Sequence, residues 1–395
     1  MKRRLFLKAA AAGSVLPVSL NGMSVRAYAN SPLMHLLGRR TGSNDNVLVL
    51  IQLNGGNDGL NTFIPFQDEA YYELRKNIAI PKNEVLNIGQ GMGFHPALKD
   101  FSRIMQEGNL TVIQNVGYPN PSRSHFRSQE IWETASPANK YLSNGWLGRY
   151  LDIHYHHHNP VGAINIDTID NLALKGELPN VTTTKNPNRY KSNYNSKIET
   201  LSENPQLDFV RKVANSVTEG SIEIQKALAN SSKSIPYPKT TLGRNLEWIG
   251  QLIKGNLNTS VYYTSQSGYD THDNQKESQK RNFTELNDAI ATLYDDLKTS
   301  NKLNTTTIVI FSEFGRRVKD NGKGTDHGTA APMFIIGGNN KGKIIGENPD
   351  LIDLDNGDLK YKIDFRSVYA SLLKNQLNFN PKQIGLNAIP LEKIF

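Results

Sequence analysis

The 395-residue sequence contains no cysteine. That absence excludes a disulfide scaffold, a thiolate zinc site, a cysteine nucleophile and a cysteine lipid anchor. No apolar run reaches the roughly 20 residues that a membrane-spanning helix needs. Acidic residues are missing from residues 1–29, which hold Lys2, Arg3, Arg4, Lys8 and Arg26. Without those five the formal charge falls from +8 to +3, so the rest of the chain has no basic excess that would call for nucleic acid. Several catalytic signatures are also absent: the G-x-S-x-G elbow, H-E-x-x-H, the dinucleotide fingerprint and a Walker lysine.

The composition that remains is globular, with 37% hydrophobic residues, 21% charged residues and 31 glycines. It suffices for one large α/β domain or for two to three smaller ones. The N-terminus reads as an export signal: Arg3-Arg4 leads into Leu5-Phe6-Leu7-Lys8, then the mildly apolar 9–20, then the small-x-small site Ala27-Tyr28-Ala29. Twin arginines followed by Phe-Leu-Lys look like a Tat signal over residues 1–29, which implies a periplasmic or secreted protein. A single domain is then expected over 30–395.

Val47–Leu53, Leu110–Val116, Thr306–Ser312 and Met333–Gly337 are short continuous apolar runs closed by small or polar residues. They predict buried strands, with Ser260–Thr264 a fifth. Amphipathic helical stretches lie between them, at 95–107, 125–134, 207–228, 242–253, 280–297 and 365–377. Strands alternating with helices predict a mostly parallel central sheet flanked by helices on both faces. Residues 152–205 are rich in Asn, Thr, Pro and Lys, with little periodicity, and read as an irregular insertion on the sheet edge. Within them His154 and the triplet His156-His157-His158 read as an exposed loop.

Ligands of open parallel sheets bind beyond the carboxyl ends of the strands. Asn54-Gly55-Gly56-Asn57-Asp58 follows the first strand and reads as a tight turn or a loop that offers Asn54 or Asp58 to a cation. Ser122-Arg123-Ser124-His125-Phe126-Arg127 opens a helix, where free amides and partial positive charge suit an anion or a hydroxyl nucleophile. Simple serine capping is the alternative there. Asp270-Thr271-His272-Asp273 offers an oxygen and nitrogen ligand set, or a polar turn. Glu313 stands at the mouth of the sheet, either as metal ligand or general base, or in a salt bridge to Arg316 or Arg317. His327, in Gly324-Thr325-Asp326-His327-Gly328, completes a candidate cluster with Asp270, His272 and Glu313.

Six ordered blocks carry a family resemblance: LIQLNGGNDGLNT, GYPNPSRSHFRSQEIWETA, GWLGRYLD, GYDTHDNQ, SEFGRR and GTDHGTAAPMFIIGG. From about Asn46 to Leu377 the chain resembles the bacterial Tat-exported proteins catalogued as domain of unknown function 1501. That family is in turn similar to the alkaline phosphatase and sulfatase superfamily. The resemblance implies an alkaline-phosphatase-like fold and metal-assisted phosphoryl or sulfuryl transfer. It matches Asp270 and His272 to the superfamily's penultimate Asp/His pair and His327 to its last His. Asn54 stands where the first Asp is expected, with Asp58 four residues on, and Glu313-Phe314 stands where Asp-His is expected. Pro119 occupies the position of the sulfatase cysteine, which leaves Ser124 as the substitute nucleophile.

The resulting expectation is an exported metal-dependent hydrolase of a small anionic phosphate or sulfate ester. Asp58, Asp270, His272, Glu313 and His327 would hold a divalent Zn, Ca, Mn or Mg ion. Ser124 would attack, beside His125, with Arg123 and Arg127 holding the substrate anion. Two alternatives stand beside it: a non-catalytic periplasmic binding or partner protein on the same fold, and a metal-independent serine esterase.

Overall fold

The structure is a computed structural model that describes residues 46–155, 159–190, 205–338, 340–392 and 394–395, together with two short paired strands, Ser19–Leu20 and Met23–Ser24. Apart from those strands, the expected export signal at 1–29 lies outside the described residues, as does the triplet His156–His158. Residues 46–395 cluster as one unit.

The continuous apolar runs form the strands of a nine-stranded sheet. In chain order they are β1 (Val47–Asn54), β2 (Leu110–Gly117), β3 (Ala163–Asn165), β4 (Val181–Thr183), β5 (Val261–Ser267), β6 (Thr306–Phe311), β7 (Ala331–Gly337), β8 (Ile344–Ile345) and β9 (Ile363–Asp364). The spatial order is β8-β2-β7-β6-β1-β5-β3-β4, with β9 also on β2. β1 lies at the centre, parallel to β5 through Leu48↔Val261 and to β6 through Leu48↔Thr307. Apolar residues on both faces of one strand are stable only where both faces are covered. Helices provide that cover. Val49, Ile51 and Leu53 pack with α1 (Lys99–Gln106) and with the later helices α4 (Pro205–Asn230), α5 (Thr241–Lys254) and α6 (Gln275–Thr299). Leu48 and Leu50 pack with α2 (His125–Thr134), α3 (Trp146–His154) and α7 (Phe365–Ser371). The α/β fold expected from the sequence is therefore present.

One strand runs against the rest: β7 is antiparallel to both β6 and β2. Its reversed direction has a functional consequence. The residues that precede β7, rather than those that follow it, reach the edge where the parallel strands end, and Thr325-Asp326-His327 is that stretch.

The expectation of an irregular insertion over 152–205 needs correction for its described part. Ala163–Asn165 and Val181–Thr183 extend the main sheet, each in parallel register, as Ala163↔Val261 and Ala163↔Val181. They are only three residues long, too short for an alternating pattern to stand out from the polar segments around them. Helix α3 was also not expected. Gly148 interrupts its pattern, yet Lys175 lies so close that a Cβ there would meet a backbone oxygen at 2.1 Å.

Candidate metal centre

The loops that leave β1, β2, β5 and β6, with the loop that enters β7, meet at one edge of the sheet. Two glycines permit the meeting. Gly55 and Gly56 end β1 with φ of +119° and +70°. A Cβ on Gly55 would lie 2.4 Å from the Asp270 backbone nitrogen, and one on Gly56 would lie 2.4 Å from the Phe314 ring. Glycine is needed both for the left-handed backbone and for the close approach. The Asn-Gly-Gly turn thus serves packing.

Three imidazoles converge there. His327 Nε2 lies 3.1 Å from His125 Nε2, 3.0 Å from His272 Nε2 and 3.1 Å from Asp270 Oδ1. His272 Nε2 is also 3.0 Å from Asp270 Oδ1. Ligand atoms of His125, Asp270 and His327 all lie within 4.8 Å of one another, a spacing that suits one ion. The Phe314 ring, 1% exposed, packs against His125 and His327 with centroids 4.8 Å and 5.1 Å away.

The far nitrogen of each ring settles its tautomer. His125 Nδ1 meets Glu313 Oε1 at 2.7 Å, His272 Nδ1 meets Asp326 Oδ1 at 3.1 Å, and His327 Nδ1 meets the Arg123 carbonyl oxygen at 2.8 Å. All three partners are oxygens with no proton to give, so each Nδ1 must be the donor. In the neutral rings each Nε2 then carries a lone pair. Three lone pairs and a carboxylate oxygen facing one another form a donor set that could hold a cation, and the outer hydrogen bonds are of the kind that orient metal-bound histidines. The residues present therefore fit a metal ion.

Burial pushes the Asp270 carboxyl up, but the Arg316 hydrogen bond at 2.6 Å and its charge, with His327 and His125, hold it down at about 2. The hydrogen bond to Glu313 raises His125, against partial burial. Glu313 is fully buried and accepts from the Gly55 amide at 2.9 Å and the Ser312 hydroxyl at 3.0 Å as well. Arg316, also buried, donates to the carbonyls of Gly55, Gly56, Tyr269 and Thr325 at 2.6–3.0 Å.

Of the nine expected site residues, the structure brings Asp270, His272 and His327 together at the centre. His125, expected beside a nucleophile, lies among them. Glu313 stands one step out, behind His125. Asp58 is elsewhere engaged: its buried carboxylate pairs with Arg75 at 2.5 Å and accepts from Gln275 and the Leu60 amide. The two arginines expected to hold substrate have other partners. Arg123 pairs with Asp358, and Arg127 reaches Glu130 at 2.6 Å and the carbonyls of Ala138 and Lys140 while lying over the Tyr141 ring. Ser124 is exposed at the N-cap of α2, and among the described residues its hydroxyl makes no hydrogen bond to an imidazole. Sequence reasoning missed Arg75, Gln275 and the role of Asp326. The only signal for Asp326 was its place beside His327.

No curated protein matches the sequence. Several solved structures are similar in fold. A sulfatase, PsFucS1 from a Pseudoalteromonas species, is 13% identical over 91% of this chain and 72% of its own, with a TM-score of 0.42. A protein in the alkaline phosphatase superfamily from Vibrio parahaemolyticus is 11% identical over 81% and 68%, with a TM-score of 0.36. The C-terminal periplasmic domain of EcEptC from Escherichia coli, solved in complex with zinc, is 10% identical over 76% and 74%, with a TM-score of 0.35. At the level of sequence, residues 109–377 match the family model described as protein of unknown function (DUF1501), and the chain belongs to that family.

Proposed function

We propose that the protein is a hydrolase of phosphate or sulfate esters that works through a single divalent metal ion held by His125, His272, His327 and Asp270. The observation that carries this reading is the convergence of three Nε2 lone pairs on the Asp270 carboxylate, each ring fixed from behind through its Nδ1 proton. A divalent ion in that place supplies Lewis acidity toward an ester oxygen and lowers the pKa of water.

The chain's own residues set the conditions for that chemistry. Glu313 holds the Nδ1 proton of His125 from a buried position, so the ring keeps one orientation. Three imidazoles and one carboxylate suit zinc or a similar transition metal, whereas calcium and magnesium favour all-oxygen sets. Arg316 takes a position on Asp270 Oδ1 where a second cation would be repelled, which supports a single-ion centre. The ester class rests on the sequence resemblance, because the guanidiniums of Arg123 and Arg127 are engaged by protein groups. Their engagement favours the second reading, a binding protein that keeps the metal and lacks the chemistry. The twin arginines at 3 and 4 support export to the periplasm or beyond.

Elemental mass spectrometry on protein purified without chelator, beside an Asp270→Ala/His327→Ala double variant, tests the reading. The expected result is one transition-metal ion per chain, lost in the double variant, with turnover of an aryl phosphate or aryl sulfate. No metal in either protein would sink the metal mechanism. Metal without turnover of either ester class would move the conclusion to the binding protein.

A further inference from the structure

Asp58 is a good cation ligand by chemistry, yet its surroundings give it a different task. It is 1% exposed and shares its carboxylate between Arg75 Nη1 at 2.5 Å and Gln275 Nε2 at 2.5 Å. The buried Arg75 guanidinium extends to the Arg317 carbonyl at 2.8 Å through Nη2 and the Val318 carbonyl at 2.9 Å through Nε. On the other side, Gln275 Oε1 accepts from the Thr325 hydroxyl at 2.6 Å. Gln275 and Thr325 are both fully buried.

These contacts grip both arms of one loop. Arg317-Val318 is the arm that leaves the sheet after Arg316, and Thr325 is on the arm that returns with Asp326-His327. The arms also close on each other: the Arg317 amide donates to the Asp326 carbonyl at 3.0 Å, and Arg316 and His327 form an isolated antiparallel bridge. Thr325 further joins the loop that carries His272, its amide donating to the Thr271 carbonyl at 3.3 Å. From this geometry we infer that Asp58, Arg75, Gln275 and Thr325 are positioning residues, a buried clamp that fixes His327 and Asp326 against the metal centre without touching it. The inference rests on the metal reading above, and it gives Asp58 a role that its position after the first strand does not suggest. A buried chain of this kind is rigid only when every member is satisfied, so loss of one donor should loosen the loop.

The test is a Co2+ titration of the full-length chain, read by visible absorption, which reports both affinity and ligand geometry. Thr325→Val keeps the side-chain volume and removes the hydroxyl that Gln275 needs, and Thr325→Ser keeps the hydroxyl. The valine variant is expected to bind Co2+ about tenfold more weakly, in the range for outer partners of metal ligands, with an altered spectrum. The serine variant is expected to restore both. Thermal unfolding in chelator checks that the valine variant is folded. Should it not fold, Gln275→Leu is read in its place against the same two expectations. Wild-type affinity and spectrum in the valine variant, or failure of the serine variant to restore them, would overturn the clamp. Absence of Co2+ binding by the wild type would instead overturn the metal reading beneath it.

Discussion

Two aspartate–arginine pairs stand at the carboxyl edge of the same sheet, and they differ in what surrounds them. Asp58 and Arg75 are both sealed, at 1% and 0% side-chain exposure. Asp270 is 48% exposed while its partner Arg316 is 0%. In the sealed pair the carboxylate has no face left, because arginine, glutamine and a backbone amide use it. In the open pair Arg316 takes one side of Oδ1, and two imidazole nitrogens approach the same oxygen. Residue type and place after a strand are alike in the two cases. What makes one a candidate metal ligand is access, which the neighbouring elements decide.

The largest effect should come from breaking the sealed pair. Arg75→Met leaves the Asp58 carboxylate buried without its counter-charge and the carbonyls of Arg317 and Val318 without a donor. Loss of one partner of a buried pair costs about 3–5 kcal/mol. Asp270→Asn, by contrast, should cost at most about 1 kcal/mol in the metal-free protein, because the pair is half-exposed and Arg316 keeps its carbonyl partners. Urea unfolding in chelator measures both. Equal losses would erase the distinction between sealed and open pairs.

A second contrast lies between imidazoles. His95, 3% exposed, accepts from the Ala97 amide at its Nδ1, the reverse of the donating Nδ1 atoms at the centre. Burial, with Lys280 nearby, pushes His95 down to about 4 from 6.5. Its neutral form therefore contributes in full above pH 6.5. That contribution is lost as the pH falls toward 4, where the unfolded chain takes up a proton that the folded chain refuses. The loss should amount to about 3 kcal/mol. His95→Gln should remove this part of the acid limb, seen as a smaller difference in unfolding free energy between pH 7 and pH 4 than in the wild type. An unchanged difference would mean that His95 takes up its proton as readily in the folded protein as in the unfolded chain.

These contrasts also mark what the sequence could disclose. The main strands were legible because β1, β2, β6 and β7 are continuous apolar runs long enough to stand alone. The grouping of Asp270, His272 and His327 was legible because they lie in glycine-flanked loops beside strands expected from the sequence, Ser260–Thr264 for the first two and Met333–Gly337 for the third. The direction of β7 was not, since an apolar run reads the same both ways. Arg75 closes a six-residue helix, Glu69–Leu74, far in sequence from Arg317 and Val318, and nothing local announces that it will close on Asp58. Arg123 and Arg127 read as anion ligands because their neighbours looked catalytic. The i,i+3 spacing of Arg127 and Glu130 on one helix was a local sign of their pairing, whereas Asp358, far along the chain, gave none for Arg123. Exposure and long-range pairing are tertiary facts.

The outer partners of the centre sharpen the comparison at two finer grades. Glu313→Gln keeps the shape of the side chain and removes the charge that holds His125. Outer partners of this kind usually cost 10–100-fold in metal affinity when lost, and the buried setting places the expectation at the upper end. It is measured by competition with a chelator of known affinity.

Asp326→Asn is the smallest step. Asp326 makes the same type of contact, to His272 Nδ1, but its side chain is 65% exposed and His272 is 45% exposed. Water can replace an exposed carboxylate at little cost, and an exposed charge pair contributes at most about 1 kcal/mol. The asparagine also keeps a carbonyl oxygen able to accept the same proton. The expected loss is therefore no more than about fivefold in metal affinity. A loss as large as that of Glu313→Gln would mean that His272 depends on its anionic partner as much as His125 does. Burial of the outer carboxylate would then have no bearing on how firmly a ligand ring is held.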